Sequence, residues 1–313
     1  MSRNLKFILL ALFFLVGIGA IVWFLKGTNI PVLDPAGIIG QKERNLIYVS
    51  LALALIVVVP VFSLLIIFAV RYREGNDKAK YSPNLDRNKL AETVWWLIPS
   101  AIILVLAIIA WNSSHTLDPY KPISSTEQPV NIQVVALDWK WLFIYPDQKV
   151  ASVNTFTVPV NRPVKFDVTA DAPMNSFWVP QLGGQIYAMP GMSTQLNLMA
   201  TRYGVFNGSS ANISGVGFSG MTFTAKATSE SDYNKWLNKL SNSPNQLNIA
   251  SYDKLSQPSQ NNSVAFYSNA QQGLYNAIID KYMMPAMANN SSNGSVIPVY
   301  GSNADSMNGM VMQ

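Results

Sequence analysis

The sequence contains no cysteine and only one histidine, His115. The absence of cysteine excludes disulfide bonds, thiolate metal sites, thiol catalysis and a lipid-modified N-terminal cysteine. His115 follows Ser113 and Ser114, but a serine–histidine hydrolase also needs an orienting acid and an oxyanion hole, and the sequence shows no frame for either. We therefore expect His115 to make hydrogen bonds near a membrane surface and to take no part in catalysis.

Charged residues are also scarce. They make up 12% of the 313 residues, whereas hydrophobic residues make up 49%, and a typical soluble domain is about 25% charged. From residue 112 to the C-terminus, 11 basic residues balance 11 acidic ones, so the net charge of +5 arises near the apolar segments. A basic run lies between Arg71 and Lys89, and a short basic segment between two apolar spans is typical of a cytoplasmic loop. This distribution indicates membrane orientation and predicts no nucleic-acid partner.

Three uncharged apolar stretches occupy residues 7–25, 46–70 and 93–111. A membrane span needs roughly 20 apolar residues, so the second and third stretches predict a transmembrane hairpin. The first stretch has basic residues at both ends, and it is either a cleaved signal peptide or a retained N-terminal membrane helix. In both cases, loop 71–90 is predicted to be cytoplasmic and the C-terminal bulk to lie on the outer side of the membrane.

The remainder of the chain changes from apolar runs to short alternating segments. Turn signals separate these segments, and many short strands at such spacing imply an all-β sandwich or barrel. Apolar residues at helical spacing then predict helices over 231–240 and 274–282. The predicted strands cover residues 129–137, 139–145, 151–158, 164–169, 194–199 and 221–227.

Several distinctive motifs occur in order along the chain. They are Val32-Leu33-Asp34-Pro35, Ala79-Lys80-Tyr81-Ser82-Pro83-Asn84, Asp138-Trp139-Lys140-Trp141, Met174-Asn175-Ser176-Phe177 and Gly217-Phe218-Ser219-Gly220-Met221. Through these motifs the chain resembles subunit II of haem–copper respiratory oxidases, most closely that of the bo-type ubiquinol oxidases, from about residue 32 to residue 286. The resemblance implies an α+β membrane protein with a two-helix hairpin, a cupredoxin-like exterior β-domain and an aromatic-rich helical extension.

The resemblance also points to a lost metal site. In copper-bearing relatives, a His-Ser-Trp motif and a loop with two cysteines, a glutamate, a histidine and a methionine hold a binuclear copper centre. In this sequence, Asn175 stands at the first histidine and Phe218 at the second. Ser210 and Ser214 stand at the two cysteines and Asn212 at the glutamate, while Met221 keeps the methionine. A copper pair needs thiolates and imidazoles, and a lone thioether cannot hold it. We expect no metal and no cofactor in this chain.

The partners implied by the resemblance are haem–copper oxidase subunit I, other oxidase subunits, membrane lipid and the quinol pool. Haems and one copper are then expected in subunit I. A quinol delivers electrons from within the membrane, so this subunit needs no exterior port, and its balanced charge offers nothing to a basic cytochrome c. The chain is predicted to be the non-redox subunit 2 of a proton-pumping ubiquinol oxidase. A menaquinol oxidase, and a membrane-anchored periplasmic scaffold outside an oxidase, stay open as alternatives.

The changes in sequence pattern also divide the chain into segments. The resemblance implies that it is a multi-pass protein of the bacterial inner membrane. The segments are 1–26 (signal peptide or N-terminal helix), 27–112 (hairpin), 113–228 (cupredoxin-like periplasmic domain), 229–287 (aromatic-rich extension) and 288–313 (disordered tail). The tail is rich in Asn, Ser, Gly and Met, a composition that lacks the apolar residues needed for a packed core.

Glu92 is the one residue to which the resemblance gives a chemical role. It begins the third apolar stretch, and relatives carry a glutamate in the same pattern near the mouth of a proton pathway into subunit I. A carboxylate at a membrane boundary can collect protons, but an acid at a helix start is also favoured by the helix dipole. Trp139 and Trp141 lie at alternate positions of a predicted strand, and we expect them to share a face and to pack in the core or an interface.

Overall fold

The computed structural model describes residue 19 and residues 30–76 and 88–283. The N-terminal apolar stretch except residue 19, most of the predicted cytoplasmic loop and the predicted disordered tail lie outside these residues. The elements below therefore concern the hairpin, the β-domain and the extension.

Two long helices form the hairpin, α1 (Ile38–Arg71) and α2 (Lys89–Thr116), and both are long and apolar enough to cross a membrane. Helix α1 begins eight residues before the apolar run at residue 46, because hydropathy detects the span in the membrane and not the polar turns that precede it. At the start of α2, the Asn88 side chain accepts a hydrogen bond of 3.1 Å from the Ala91 amide, which satisfies one of the free donors of the first turn.

The β-domain consists of two packed sheets. One sheet has the order β11-β3-β2-β1-β5-β8 and the other the order β4-β10-β9-β6-β7; β1 pairs with β5, and β4 with β10, in parallel. The strands are β1 (Val130–Leu137), β2 (Lys140–Tyr145), β3 (Val150–Val153), β4 (Thr155–Pro159), β5 (Val164–Ala170), β6 (Asn175–Trp178), β7 (Ile186–Ala188), β8 (Thr194–Leu198), β9 (Gly204–Ser210), β10 (Thr222–Thr228) and β11 (Ala265–Tyr267).

The six-stranded sheet is covered on both faces, and this explains why β2 is apolar throughout. Because side chains alternate along a strand, Trp141 and Phe143 enter the core between the sheets, while Leu142 and Ile144 enter a second core. The inter-sheet core is aromatic, with ring centroids of neighbouring pairs 4.9–6.3 Å apart. Its rings belong to Trp141, Phe143, Phe156, Phe166, Phe177 and Phe223.

The second core is built by the extension after residue 228. Its helices are α3 (Glu230–Ser241), α4 (Ile249–Ser256) and α5 (Leu274–Met283), and its strand β11 adds an edge to the six-stranded sheet beside β3. Tyr252 from α4, and Leu274, Tyr275 and Ile278 from α5, are buried against the outer face of that sheet. The two helices predicted from spacing are α3 and α5, whereas α4 and β11 were not predicted.

The start of α1 is fastened to the β-domain. The amides of Ala36 and Gly37 donate to the Gln181 carbonyl, at 2.6 and 3.2 Å, and the Arg202 guanidinium makes two hydrogen bonds to the Asp34 carboxylate. At Gly37 a Cβ atom would lie 2.5 Å from the Leu182 carbonyl oxygen, so only glycine permits this approach. The β-domain is thereby held in a fixed position relative to α1.

Two strand predictions need correction. Residues 151–158 form two strands, because Asn154 adopts a left-handed conformation (φ 57°) and sends β3 into one sheet and β4 into the other. Trp139 was expected in a strand on the same face as Trp141, but it lies in the β1–β2 turn with φ 61°. The predicted sharing of a strand face is therefore wrong, although both indoles pack against the inter-sheet core, Trp141 within it and Trp139 at its edge.

Candidate functional site

The segment that was predicted to be a former copper loop joins two paired strands. Strands β9 and β10 are antiparallel neighbours, and between them the chain makes a loop that ends in a short 3₁₀ turn, Phe218–Gly220. The loop rests on Trp139, whose indole N–H donates to the Ser214 carbonyl at 3.2 Å. At Gly217 a Cβ atom would lie 2.4 Å from the same ring. The close contact between indole and backbone fixes the path of the loop.

Three of the predicted ligand positions meet in one neutral hydrogen-bond network. The Ser210 hydroxyl lies 2.9 Å from Oδ1 of Asn175, to which it donates, and it accepts the amides of Ser176 and Asn212 at 3.4 Å. The Asn175 amide group donates to the Pro173 carbonyl at 2.7 Å, and the Ser176 hydroxyl donates to Oδ1 of Asn212 at 2.6 Å. Asn175 and Ser210 are buried, so these bonds satisfy groups that water cannot reach.

The other three positions do not join this network. Met221 is buried in the inter-sheet core, and its amide donates to the Phe218 carbonyl at 3.0 Å. Phe218 is half-buried. The Ser214 hydroxyl is buried and has no hydrogen-bond partner within the part of the chain that the structure describes. The structure thus brings Asn175, Ser210 and Asn212 together through side-chain hydrogen bonds. Of the other three, Met221 contacts this group only through its backbone carbonyl, which accepts the Ser210 amide at 3.4 Å.

The chemistry of these side chains does not suit a copper pair. Amide and hydroxyl groups are hard, neutral donors, whereas mixed-valence copper requires thiolate and imidazole ligands. Across residues 30–76 and 88–283, no three His, Cys, Asp or Glu side chains are grouped so that they could hold a metal ion. His115 lies in the last turn of α2, where its Nδ1 is 2.7 Å from the Trp111 carbonyl oxygen. The loop can keep its shape, but its side chains offer no electron-transfer chemistry.

Glu92 lies in the first turn of α2 and is exposed. Its amide donates to the Asn88 carbonyl at 2.9 Å, and its side chain lines a shallow depression together with Lys89, Thr93 and Trp96. An exposed acid at this position can exchange protons with solvent, and it also interacts favourably with the positive end of the helix dipole. The position of Glu92 is therefore compatible both with proton entry and with a purely structural role at the helix start.

A second polar cluster, absent from the sequence predictions, fastens the extension to the β-domain. The Asp171 carboxylate follows β5 and is buried, and it accepts hydrogen bonds from Tyr252 of α4 (2.7 Å) and from Lys281 (2.7 Å) and Tyr282 of α5. Burial alone would raise the pKa of Asp171, but the bonds from Lys281, Tyr282 and Tyr252 together hold it below its ordinary value. Burial and the Asp171 charge raise the pKa of both tyrosines, so they remain neutral donors.

Lys140 provides a further anchor beside the Trp139 turn. Its side chain is almost fully covered, and Nζ donates to the Gln257 carbonyl at 2.7 Å and to the Ser259 hydroxyl. Burial lowers the pKa of Lys140, and the nearby Asp138 carboxylate opposes that effect. The residues joined in these two anchors lie about a hundred positions apart in the chain, so no local spacing could have revealed them.

Comparison with known proteins matches most of the chain to subunit II of respiratory oxidases. The family model described as "Cytochrome C oxidase subunit II, periplasmic domain" matches residues 146–228, and "COX Aromatic Rich Motif" matches residues 242–286. The chain is 49% identical to cytochrome bo(3) ubiquinol oxidase subunit 2 of Pseudomonas putida over 258 residues, which cover 82% of each protein. The Pseudomonas aeruginosa protein of the same name is 45% identical over 270 residues, 86% of this chain and 82% of that protein. Ubiquinol oxidase subunit 2 of Acetobacter aceti is 43% identical over 286 residues, 91% of this chain and 92% of that protein.

Proposed function

Since the chain belongs to the subunit 2 family of bo-type ubiquinol oxidases, we propose that it serves its complex as a subunit without a redox centre. It is a membrane-anchored subunit of a quinol oxidase, an oxidoreductase complex, and its exterior domain has the cupredoxin-like fold of the matched family. The names of the relatives favour ubiquinol over menaquinol as the electron donor. The complex oxidises quinol and reduces oxygen to water.

The neutral network of Asn175, Ser210 and Asn212 is the observation that carries this proposal. Its hydrogen bonds join three positions at which the copper-bearing relatives are expected to have ligands. A buried hydroxyl and a buried amide that satisfy each other stabilise the loop without metal. In this interpretation the loop keeps the frame of an electron port and transfers no electrons.

The proposed partner is a haem–copper subunit I that carries the haems and one copper. Quinol reaches that subunit from within the membrane, so electrons need not pass through the exterior domain. The contribution of this chain is then to cover the outer face of subunit I and to support assembly, with its domain fixed by the Asp34–Arg202 ion pair and the Gln181 bonds. No nucleic acid and no cytochrome c takes part.

The proposed location is the bacterial inner membrane, with the β-domain in the periplasm. The basic run between Arg71 and Lys89 supports this orientation, because basic residues between two spans favour the cytoplasmic side. The proposal places Glu92, at the start of α2, on the cytoplasmic side. From that side an oxidase takes up protons.

Restoring the copper ligands tests the proposed loss of the metal site. The double variant Ser210→Cys with Ser214→Cys should bind no copper pair, because Asn175 and Phe218 still withhold imidazoles. Adding Asn175→His and Phe218→His should permit binding, seen as purple absorbance and a mixed-valence electron spin resonance signal. The double variant is the matched control, and haem content reports whether each complex has assembled. A fully assembled fourfold variant that stays colourless with copper would show that the assigned ligand positions are wrong.

Glu92 is proposed as a proton-entry residue. The change Glu92→Gln preserves size and hydrogen bonding but removes the titratable group, so turnover per haem should fall while haem spectra and assembly are unchanged. Asp118→Asn, a change of the same kind near the other end of α2, is the control and should leave turnover unaltered. If Glu92 only favours the helix start, worth roughly 0.3–1 kcal/mol, the variant will assemble less well and keep its turnover per haem.

A further inference from the structure

A groove lies between the two membrane helices near the β-domain. It has a volume of about 270 Å³ and is lined on the α1 side by Lys42, Asn45, Leu46 and Val49 and on the α2 side by residues that include Asn112. Enclosed pockets for small molecules have volumes of about 300–1,000 Å³, so this groove suits a headgroup and not a whole lipid. The groove opens at the end of the hairpin that carries the exterior domain.

The groove changes from polar to apolar along α1. Residues three and four apart share a helix face, so Lys42, Asn45, Leu46 and Val49 form one stripe. The apolar run of α1 begins at residue 46, which places Lys42 and Asn45 at the level of the headgroups and Val49 at the level of the acyl chains. Asn112, directly after the apolar run of α2, stands at the same polar level.

The polar side chains of this groove have no partners in the described protein. Within residues 30–76 and 88–283, no hydrogen bond or ion pair joins the side chains of Lys42, Asn45 or Asn112 to another residue, and all three are exposed. Lysine next to a membrane attracts anionic lipid, by about 1 kcal/mol for each basic residue. An ammonium and two amides that line one groove supply charge and hydrogen-bond donors for a phosphate.

We propose that this groove binds the phosphate of an anionic phospholipid, whose acyl chains lie along Leu46 and Val49. Lys42 supplies the charge, and Asn45 and Asn112 donate hydrogen bonds to the phosphate oxygens. This site requires that the chain is anchored in the membrane. The leaflet that contains the site follows from the orientation proposed above. An apolar helix of a partner subunit is a poorer occupant, because it would bury an unpaired ammonium at considerable cost.

The test compares intact complexes in detergent by native mass spectrometry after addition of phosphatidylglycerol or phosphatidylcholine with identical acyl chains. Wild type should retain phosphatidylglycerol in preference to phosphatidylcholine. Lys42→Ala should reduce that preference about fivefold, the ratio that corresponds to the loss of about 1 kcal/mol. Lys121→Ala removes one positive charge from the segment directly after α2, outside the groove, and should leave the preference unchanged.

Three results would overturn the proposal. Equal retention of the two lipids by wild type would show that no anionic site exists, and an equal effect of Lys121→Ala would show that general surface charge is responsible. Displacement of phosphatidylglycerol by millimolar inorganic phosphate would show a free-phosphate site without an acyl-chain contribution. The variant Asn112→Leu should also weaken retention while the haem content stays that of wild type.

Discussion

The two polar clusters of the β-domain are built in opposite ways. The network of Asn175, Ser210 and Asn212 contains only neutral groups, and all of its bonds lie within one corner of the sandwich. The Asp171 cluster is charged, and it joins β5 to two helices that follow it by 81 and 110 positions. The neutral network maintains a loop, whereas the charged cluster fastens the extension.

If the copper site was lost, as we propose, this difference explains how the domain remains ordered without a metal. A bound metal would supply stability through its ligands, and here hydroxyl and amide groups complete the loop locally. The extension adds a second core on the outer face of the six-stranded sheet, with Asp171 and Lys140 as polar anchors. The stability of the domain should therefore depend more on Asp171 than on any residue at the predicted ligand positions.

The largest expected effect is that of Asp171→Ala. The change leaves the buried Tyr252 hydroxyl without its acceptor, and hydrogen bonds to charged groups contribute about 1.5–3 kcal/mol each. Lys281 is more than half exposed and can be resolvated. We expect the free energy of opening of α5 to fall by roughly 3 kcal/mol, which is about a hundredfold faster amide hydrogen exchange over residues 274–283.

The matched control for that experiment is Asp167→Ala in β5, the strand that Asp171 follows. Asp167 pairs with Lys165 at 3.2 Å, and both side chains are partly exposed, so the pair contributes at most about 1 kcal/mol. An equal exchange rate of α5 in the two variants would contradict the assignment of Asp171 as the anchor of the extension.

The pH dependence of the Asp171 anchor has a definite sign. The folded-state pKa of Asp171 is lowered, so its contribution to stability is complete above the ordinary aspartate pKa of about 3.9 and is lost as the pH falls through the folded value. Wild type should exceed Asp171→Asn in α5 protection by a constant margin from pH 7 to about 5. Below about pH 4 the margin should shrink. Burial raises the pKa of neighbouring Asp138, so the contribution of Asp138 to stability has the opposite pH dependence. Because both proteins contain Asp138, this contribution largely cancels from the difference between them.

A smaller effect is expected in the neutral network. Ser214, in the loop that follows Ser210, provides the control. Ser210→Ala removes the donor to the buried Asn175 carbonyl and should lower the protection of the β9–β10 amides by about 1–2 kcal/mol. Ser214→Ala removes a buried hydroxyl that has no partner among the described residues, so it should change protection by less than about 0.5 kcal/mol. Equal losses in both variants would mean that the network does not stabilise the loop.

Alternating strands and apolar spans could be read directly from the sequence. Strands β1, β5, β8 and β10 were predicted within two residues at each end, since each places apolar side chains on one face of a sandwich. Strand β9 (Gly204–Ser210) was missed because its glycines and serines have weak strand propensity. Pairing with β10 and β6 holds it in place. The divided strand at Asn154 depends on one left-handed residue and leaves no hydrophobic signal.

The two polar clusters also differ in how far they could be predicted from the sequence. The resemblance assigns Asn175, Ser210 and Asn212 to one set of ligand positions, and the pairing of β6 with β9 brings these three residues together in the structure. Asp171, Tyr252 and Lys281 could not be found, since their contact requires the extension to fold back across a complete sheet. Long-range polar contacts of this kind follow from tertiary packing and have no spacing rule.

The most direct test of the account is the copper content of the purified complex. Copper and haem would be quantified in the same sample, together with the low-temperature electron spin resonance spectrum. We expect the copper assigned to subunit I and no mixed-valence signal. Two additional copper ions per complex, with a mixed-valence signal lost on Ser210→Ala or Met221→Leu, would contradict the proposal that this subunit has no redox centre.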